Sequence, residues 1–446
     1  LKMKHSISII SFLVFALLSC GTTRQFSRSA KKNIIHAVPL QAAHVGISVY
    51  DADAGKYLYN YQGDKYFVPA SNTKIATCYA AMKYLGDSLV GLQVHEYNNR
   101  YLLLPTADPT FLHPDYKTHP VYNFFKGLDA TTKDILFGGG QWQAKALGSG
   151  WSWNDYDAAY MAERSAFPIY GNVVTFSGRV DCLKVSPTFF ISRIAGSRSM
   201  PNAYLSNVER VQYQNSFTTI ATGNVPRRIE VPFITSDTFS LSLLTDSLKI
   251  TKQTIATGEA PPVLFNNEQP KKYTIHSQPT DSLLKPLMHR SDNFFAEQTL
   301  LMVSNELLGV MNDVKIIDTI LKTDFADLPQ KPRWADGSGL SRYNLFTPQD
   351  FVTILNKMQK QFGMPRIKEI FATGNEGTLS NYYKNSTGFL FAKTGTLSGV
   401  VALSGLMYTK KNKLLIFSVL VNNHQALATD VRRAVEKFVE GVREGN

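Results

Sequence analysis

Val68-Pro69-Ala70-Ser71-Asn72-Thr73-Lys74 sets a serine one helical turn ahead of a lysine, and Ile75 to Leu85 continues with good helix formers that stop at Gly86. Ser71 opens a helix on this reading, and Lys74, at i+3 on the same face, brings its amine to the serine hydroxyl. Serine is a poor nucleophile until a neighbour accepts its proton, and a lysine among apolar walls and other cations can have its pKa lowered enough to serve. The free N–H groups of the helix start point toward developing negative charge. Read alone, the same residues describe an N-capping serine and a solvated lysine. S-x-x-K recurs from Ser29 to Lys32 and from Ser282 to Lys285, so the match needs support from elsewhere in the chain.

That support comes in order. Ser291-Asp292-Asn293 precedes Phe294 to Leu308, where Phe294, Leu301 and Leu308 share a seven-residue spacing that predicts a helix. At its start a Ser291 hydroxyl can relay a proton between Lys74 and a leaving amine, and the Asn293 amide can hold a substrate carbonyl; simple helix capping is the alternative. Lys393-Thr394-Gly395 follows the strand-like Gly388-Phe389-Leu390-Phe391 and is expected on an edge strand beside the cleft. Lys393 offers a cation and Thr394 a hydroxyl for a terminal carboxylate, and Lys393 is the second cation expected to lower Lys74. Gly395 permits close backbone approach, and the N–H of Thr396 joins that of Ser71 as an oxyanion hole. The ordered triple is the signature of penicillin-interacting serine acyltransferases.

Strand signals flank these motifs. His44 to Tyr50 alternates and Tyr57 to Tyr61 resumes after Asp53-Ala54-Gly55-Lys56; Val400 to Tyr408 and Leu414 to Val421 form a second hairpin. Beyond them Thr429 or Asp430 caps a helix in which Val431, Val435, Phe438 and Val442 make one apolar stripe. The sheet is thus expected to be assembled from both ends of the chain. Roughly 200 residues separate Lys74 from Ser291, far beyond an ordinary loop, so this interval holds structure of its own. Its segments read as short strands, among them Val173 to Phe176, Arg228 to Val231 and Phe239 to Ser242.

At 446 residues the chain exceeds the usual limit of one hydrophobic core. Lys2 and Lys4, the apolar Ile7 to Leu18 and then Leu17-Leu18-Ser19-Cys20-Gly21 read as a secretory signal ending in a lipobox. Cleavage before Cys20 would leave that cysteine lipidated, with a basic tether over residues 20–36 lacking a periodic apolar face. An ordinary signal peptide with an incidental cysteine is the alternative. Gly21 in place of aspartate points to the outer membrane of a Gram-negative envelope. The net charge of +12 is dispersed and no zinc-finger or RNP-like segment accompanies it, so no nucleic acid is expected as partner. His113 and His119 flank Asp115 without metal-site spacing, and no phosphate-binding Gly-rich loop occurs, so neither metal nor cofactor is assigned. Cys78 and Cys182 are expected as free, buried thiols.

With these residues in place the chain resembles the D-alanyl-D-alanine carboxypeptidase and endopeptidase family S13, the penicillin-binding protein 4 type. The resemblance extends to Ala107-Asp108-Pro109-Thr110, Arg290 to Glu297, Asp336-Gly337-Ser338-Gly339-Leu340-Ser341-Arg342 and Gly377-Thr378-Leu379. It implies an α+β fold: a β-lactamase/transpeptidase-like domain of antiparallel sheet and helices (37–95 with 282–446), interrupted by a β-rich insertion (96–281), after a signal (1–19). It also implies peptidoglycan stem peptides and β-lactams as ligands. Ser71, Lys74 and Ser291 are then the catalytic set, and Asn293, Lys393, Thr394 and Thr396 bind substrate. A β-lactamase with the same acylation apparatus, or a catalytically silent cell-wall-binding lipoprotein, are the competing readings; carboxypeptidase and endopeptidase action stay open. Asp336 to Arg342 has no catalytic step assigned.

Overall fold

The structure, a computed structural model, describes residues 26–128, 133–138, 141–249, 255–257 and 269–445. The signal segment and Cys20 lie outside the described residues.

Val400–Tyr408 and Leu414–Asn422 are near-continuous apolar runs, which suits strands covered on both faces. They centre a six-stranded antiparallel sheet ordered Ala372–Thr373, Leu390–Leu397, Val400–Tyr408, Leu414–Asn422, His44–Asp51, Lys56–Tyr61. His44 lies opposite Asn422 and Asp51 opposite Leu415, so the first hairpin closes on the last. The two-residue strand Ala372–Thr373 pairs outside the strand carrying Lys393 only at Phe391 and Ala392, so among the described residues that strand is the edge from Lys393 onward, as expected.

Alternation sorts side chains to two layers. Phe391, Ala402, Leu406, Ile416 and Leu420 meet one core with the helices Lys74–Tyr84, Asn293–Leu308 and Pro348–Ile370, the last bent at Gly363. Lys74–Tyr84 is buried from Lys74 to Met82, so it is an enclosed helix rather than an amphipathic one. Leu403, Met407, Phe417 and Val419 meet a second core with Val431, Val435, Phe438 and Val442 of the terminal helix, which spans Ala428–Glu444. That helix begins one residue before the expected Thr429 cap, with Leu427 in the cap position.

Residues 26–35 are helical, which corrects the reading of a tether there. Phe26, Ala30 and Ile34, four residues apart, are fully buried in this second core. The small Ala30 at the centre of that stripe hid it among the basic residues.

The insertion is closed at its neck. The backbone N–H of Thr280 donates to Asp87 O at 2.9 Å, and Ser88–Glu96 pairs antiparallel with Lys271–Pro279. The excursion therefore starts at the first residue of the strand Ser88–Glu96 and not at residue 96, since that strand pairs within the inserted sheet. It holds a five-stranded sheet, two three-stranded sheets and a core of its own rich in phenylalanine. Phe239 to Ser242 is not a strand but lies in the helix Asp237–Leu248, capped by Ser236 Oγ, which accepts from Phe239 N. Cys182 is exposed and Cys78 buried, so the expectation of two buried thiols holds for Cys78 alone.

Candidate active site

Pro69 and Ala70 turn the chain into a short 3-10 segment, Ala70–Thr73, that runs directly into the helix from Lys74. The Lys74 amine, fully buried, lies 3.1 Å from Ser71 Oγ, 2.6 Å from Asn293 Oδ1 and 2.7 Å from the carbonyl of Ser338. A neutral amine has two N–H groups and one lone pair. Asn293 Oδ1 and the Ser338 carbonyl, which can only accept, take the two N–H groups and leave the lone pair facing the Ser71 hydroxyl. Burial lowers the Lys74 amine to about 8, against the pull of Asp336, Glu297 and Asp292. Burial, and not the expected second cation, is the leading cause. The mutual repulsion is written instead on Lys393, which burial and then Lys74 push well below the ordinary lysine range.

Asp292 caps the helix Asn293–Leu308 with its side chain, accepting from Phe295 N, and Ser291 before it sits at φ 62°. This turn sends the two motif side chains to different partners. Asn293 reaches Lys74 through Oδ1 and donates through Nδ2 to Tyr160 O at 3.0 Å. Ser291 Oγ accepts from Lys393 Nζ at 2.8 Å, so its hydroxyl is held by the motif on the sheet.

On the strand Leu390–Leu397, Lys393 shares the inner face with Phe391, whereas Thr394 and Thr396 alternate to the other side. Thr394 Oγ1 donates to Thr378 Oγ1 at 2.7 Å, which gives the Gly377-Thr378-Leu379 string a physical task. The hydroxyl expected to meet a carboxylate is thus tied to Thr378, and it is Thr396 that lines the cleft. A Cβ on Gly395 would meet Pro69 O at 2.6 Å and Ser71 N at 3.1 Å. The absence of a side chain there brings the strand against the nucleophile.

Sequence reading missed four contributors. The Asn72 amide, oriented to satisfy both neighbours, donates to Lys393 O at 2.8 Å and accepts from Ser404 Oγ at 2.7 Å, stitching the helix start to the sheet. Ser338 presents its carbonyl to Lys74, Glu297 stands behind it, and Arg164 arrives from the insertion. Asn72 lies in the string Val68 to Lys74, Glu297 in Arg290 to Glu297 and Ser338 in Asp336 to Arg342, and only Arg164 had no signal in the sequence. A cleft of about 660 Å³ opens over Ser71, with Asn293, Thr396 and Arg342 on the body side and Asp155 and Tyr160 from the insertion facing them.

The description of the D-Ala-D-Ala carboxypeptidase 3 (S13) family matches residues 30–442. A D-alanyl-D-alanine carboxypeptidase of an Actinomadura species is 26% identical over 89% of this chain and 80% of its own length. The D-alanyl-D-alanine carboxypeptidase DacB of Haemophilus influenzae is 22% identical, covering 96% of this chain and 95% of that protein. The crystal structure of penicillin binding protein 4 from Haemophilus influenzae shares the fold, with a TM-score of 0.71 at 20% identity over 93% of this chain and 97% of that one. The same protein complexed with a β-lactam superposes with a TM-score of 0.66 at 19% identity, over the same shares of both chains. With the three motifs converging on one cleft and the match running through nearly the whole chain, the protein belongs to the D-Ala-D-Ala carboxypeptidase 3 (S13) family of serine-type peptidases.

Proposed function

We propose that this cleft cleaves peptides ending in D-Ala-D-Ala through an acyl-enzyme on Ser71, with the residue roles that follow. The chain is a serine-type D-Ala-D-Ala carboxypeptidase, and one observation carries the assignment of roles: the Lys74 amine lies 3.1 Å from Ser71 Oγ and its two other partners can only accept, so in the neutral form its lone pair faces Ser71. Ser71 Oγ attacks the penultimate D-alanine carbonyl carbon while Lys74 takes the hydroxyl proton. The backbone N–H groups of Ser71 and Thr396 stabilise the oxyanion. Lys393, with Thr396 on the cleft wall, meets the terminal carboxylate. Ser291, hydrogen-bonded to Lys393, gives its hydroxyl proton to the departing amine and recovers one from Lys74, which returns to its neutral form; the C–N bond breaks and free D-alanine leaves. Lys74 then takes a proton from water as the water attacks the ester carbonyl, and hands it to Ser71 Oγ as the shortened peptide leaves.

A β-lactam enters the same sequence by opening its ring on Ser71, and the β-lactam complex of the Haemophilus influenzae relative supports that ligand class. Intact-mass analysis after brief exposure to benzylpenicillin, followed over hours with the adduct mapped by digestion, tests the assignment. A lasting single adduct on Ser71, absent from Ser71→Ala, is expected. Rapid loss of the adduct with drug consumption would make the protein a β-lactamase, and no adduct in folded protein would return it to a binding role. Cross-linked muropeptides offered beside free stem peptides separate endopeptidase from carboxypeptidase action.

Cys20 is the proposed lipid attachment, placing the enzyme on the periplasmic side of the envelope. Metabolic labelling with a fatty acid should mark the full chain and not Cys20→Ser. An unlabelled, freely soluble parent chain would remove the anchor.

A further inference from the structure

Behind Lys74 lies buried charge to which the reaction assigns no role. Arg164, from the inserted region, is 1% exposed; its Nη1 stands 2.7 Å from Asp313 Oδ2 and 3.3 Å from Glu297 Oε2. Among the described residues the Glu297 carboxylate also accepts from the backbone N–H of Ser338, at 2.7 Å from Oε1, so both of its oxygens face donors. Asp336 is as deeply buried. Its Oδ1 accepts from Gly339 N at 2.8 Å and Asn344 Nδ2 at 2.7 Å. Its Oδ2 accepts from Ser341 N at 2.6 Å and from the indole N–H of Trp151, again from the insertion, at 2.9 Å.

The peptide unit between Ser338 and Gly339 connects these acids to the base. Its N–H, on Gly339, donates to the Asp336 carboxylate, and its carbonyl, on Ser338, accepts from Lys74. A carboxylate on one end of a peptide polarises the carbonyl at the other, so the acceptor facing Lys74 is strengthened. Glu297 fixes the preceding N–H, and Thr77, one turn beyond Lys74 in its own helix, donates to Gly337 O at 2.7 Å. A Cβ on Gly339, at φ 81°, would collide with Ala70 O, so the loop is seated directly on the segment that carries Ser71.

We propose that Asp336 and Glu297 are positioning residues for Lys74, acting through the Ser338 carbonyl, and that the inserted region holds them in place with Trp151 and Arg164. This rests on Lys74 being the base. The charged groups around the amine are Asp336 from the loop, Glu297 and Asp292 from the helix Asn293–Leu308 and its cap, and Lys393 from the sheet. Around Glu297 stand Asp336, Arg164 and Asp313; burial and then Asp336 raise it to about 7, with Arg164 opposing them. Both Glu297 oxygens face donors, Arg164 on one and the Ser338 N–H on the other, which is the arrangement of a carboxylate. The insertion thus contributes more than a wall of the cleft: it completes the environment of the base.

The test is the pH dependence of acylation by benzylpenicillin in the full chain. Glu297→Gln keeps an acceptor for Ser338 N and removes a negative charge that favours the ammonium form. Its acid limb should move down by about half a pH unit, with slower acylation on the plateau. Trp151→Phe removes a donor from Asp336 and leaves its charge less neutralised, so its limb should move up by a similar amount. Opposite displacements distinguish positioning from a general loosening, which would lower the rate without moving the limb in two directions. Folded variants whose limbs coincide with the parent's would overturn the proposal, and if Glu297→Gln fails to fold, Trp151→Phe alone decides it by the same criterion. A parent protein that forms no Ser71 adduct would instead sink the assignment of the nucleophile.

Discussion

Around Ser71 backbone lies against backbone, whereas in the inserted region phenylalanine rings lie against one another. Gly395 has Pro69 O and Ser71 N where a Cβ would go, and Gly337 has Ala296 O at 2.7 Å. Gly196 in the insertion meets nothing nearer than Thr218 at 3.9 Å. In its place the insertion packs Phe190 against Phe233, Phe217 and Phe239, edge-on or tilted, with centroids 5.3, 5.7 and 5.8 Å apart. The first kind of contact fixes residue identity, because no other side chain fits. The second fixes only apolar volume, which many sequences supply. That is why most of the short strings lie in the catalytic body, with Ala107-Asp108-Pro109-Thr110 coming from the insertion.

Gly395→Ala attacks the first kind directly. The added methyl must push the strand from Ser71, and a displacement of that order at a nucleophile removes about a hundredfold or more of acylation rate. Gly196→Ala, with open space around it, should leave penicillin labelling unchanged. Equal effects in both would dissolve the contrast.

The next largest effect is set by pH. Burial holds Lys74 near 8, and as the proposed base it acts only when neutral. Because this value is lowered from 10.5, acylation extends toward neutral pH and falls about tenfold for each unit below 8, levelling above it. A stopped-flow profile whose limb sits near the ordinary lysine value would show that burial does not tune the base.

Phe190→Ala probes the other region. Truncating a fully buried ring costs about 3–5 kcal/mol, so thermal unfolding should begin earlier. Below that transition acylation should stay within about twofold of the parent, since the phenylalanine core is separate from the cores that carry Ser71. Loss of acylation in a variant still folded by circular dichroism would make the two regions one unit.

The same division explains what could be read from sequence. The three-residue step from Ser71 to Lys74, the seven-residue spacing from Phe294 and the stripe from Val431 to Val442 are local periodicities, and each became the expected element. The sheet expected from both ends of the chain is closed by the pairing of His44–Asp51 with Leu414–Asn422. Phe239 to Ser242 misled because its alternation fits a strand, while Ser236 as cap and Leu241 with Leu244 at helical spacing decided the element. The Arg164–Glu297 pair joins residues 133 apart in sequence, and no local pattern announces a buried charge. The exchange of partners between Ser291 and Asn293 depends on a single positive φ, which a serine does not advertise.

The smallest effect belongs to a contact one step removed from the cleft. Thr378→Val keeps the shape beside Thr394 and deletes the hydroxyl that accepts its hydrogen bond. Thr394 is half-buried, so water can replace part of what is lost, and the net loss is about 1 kcal/mol. If Thr378 steadies the strand that presents Lys393 to the terminal carboxylate, this loss appears as a rise in KM of about fivefold for a D-Ala-D-Ala peptide, with kcat nearly unchanged. A variant that instead lowers kcat at constant KM would place Thr394 among the groups that act on the transition state. The contrast drawn above would then sharpen, because even a hydroxyl turned away from the cleft would belong to the constrained set.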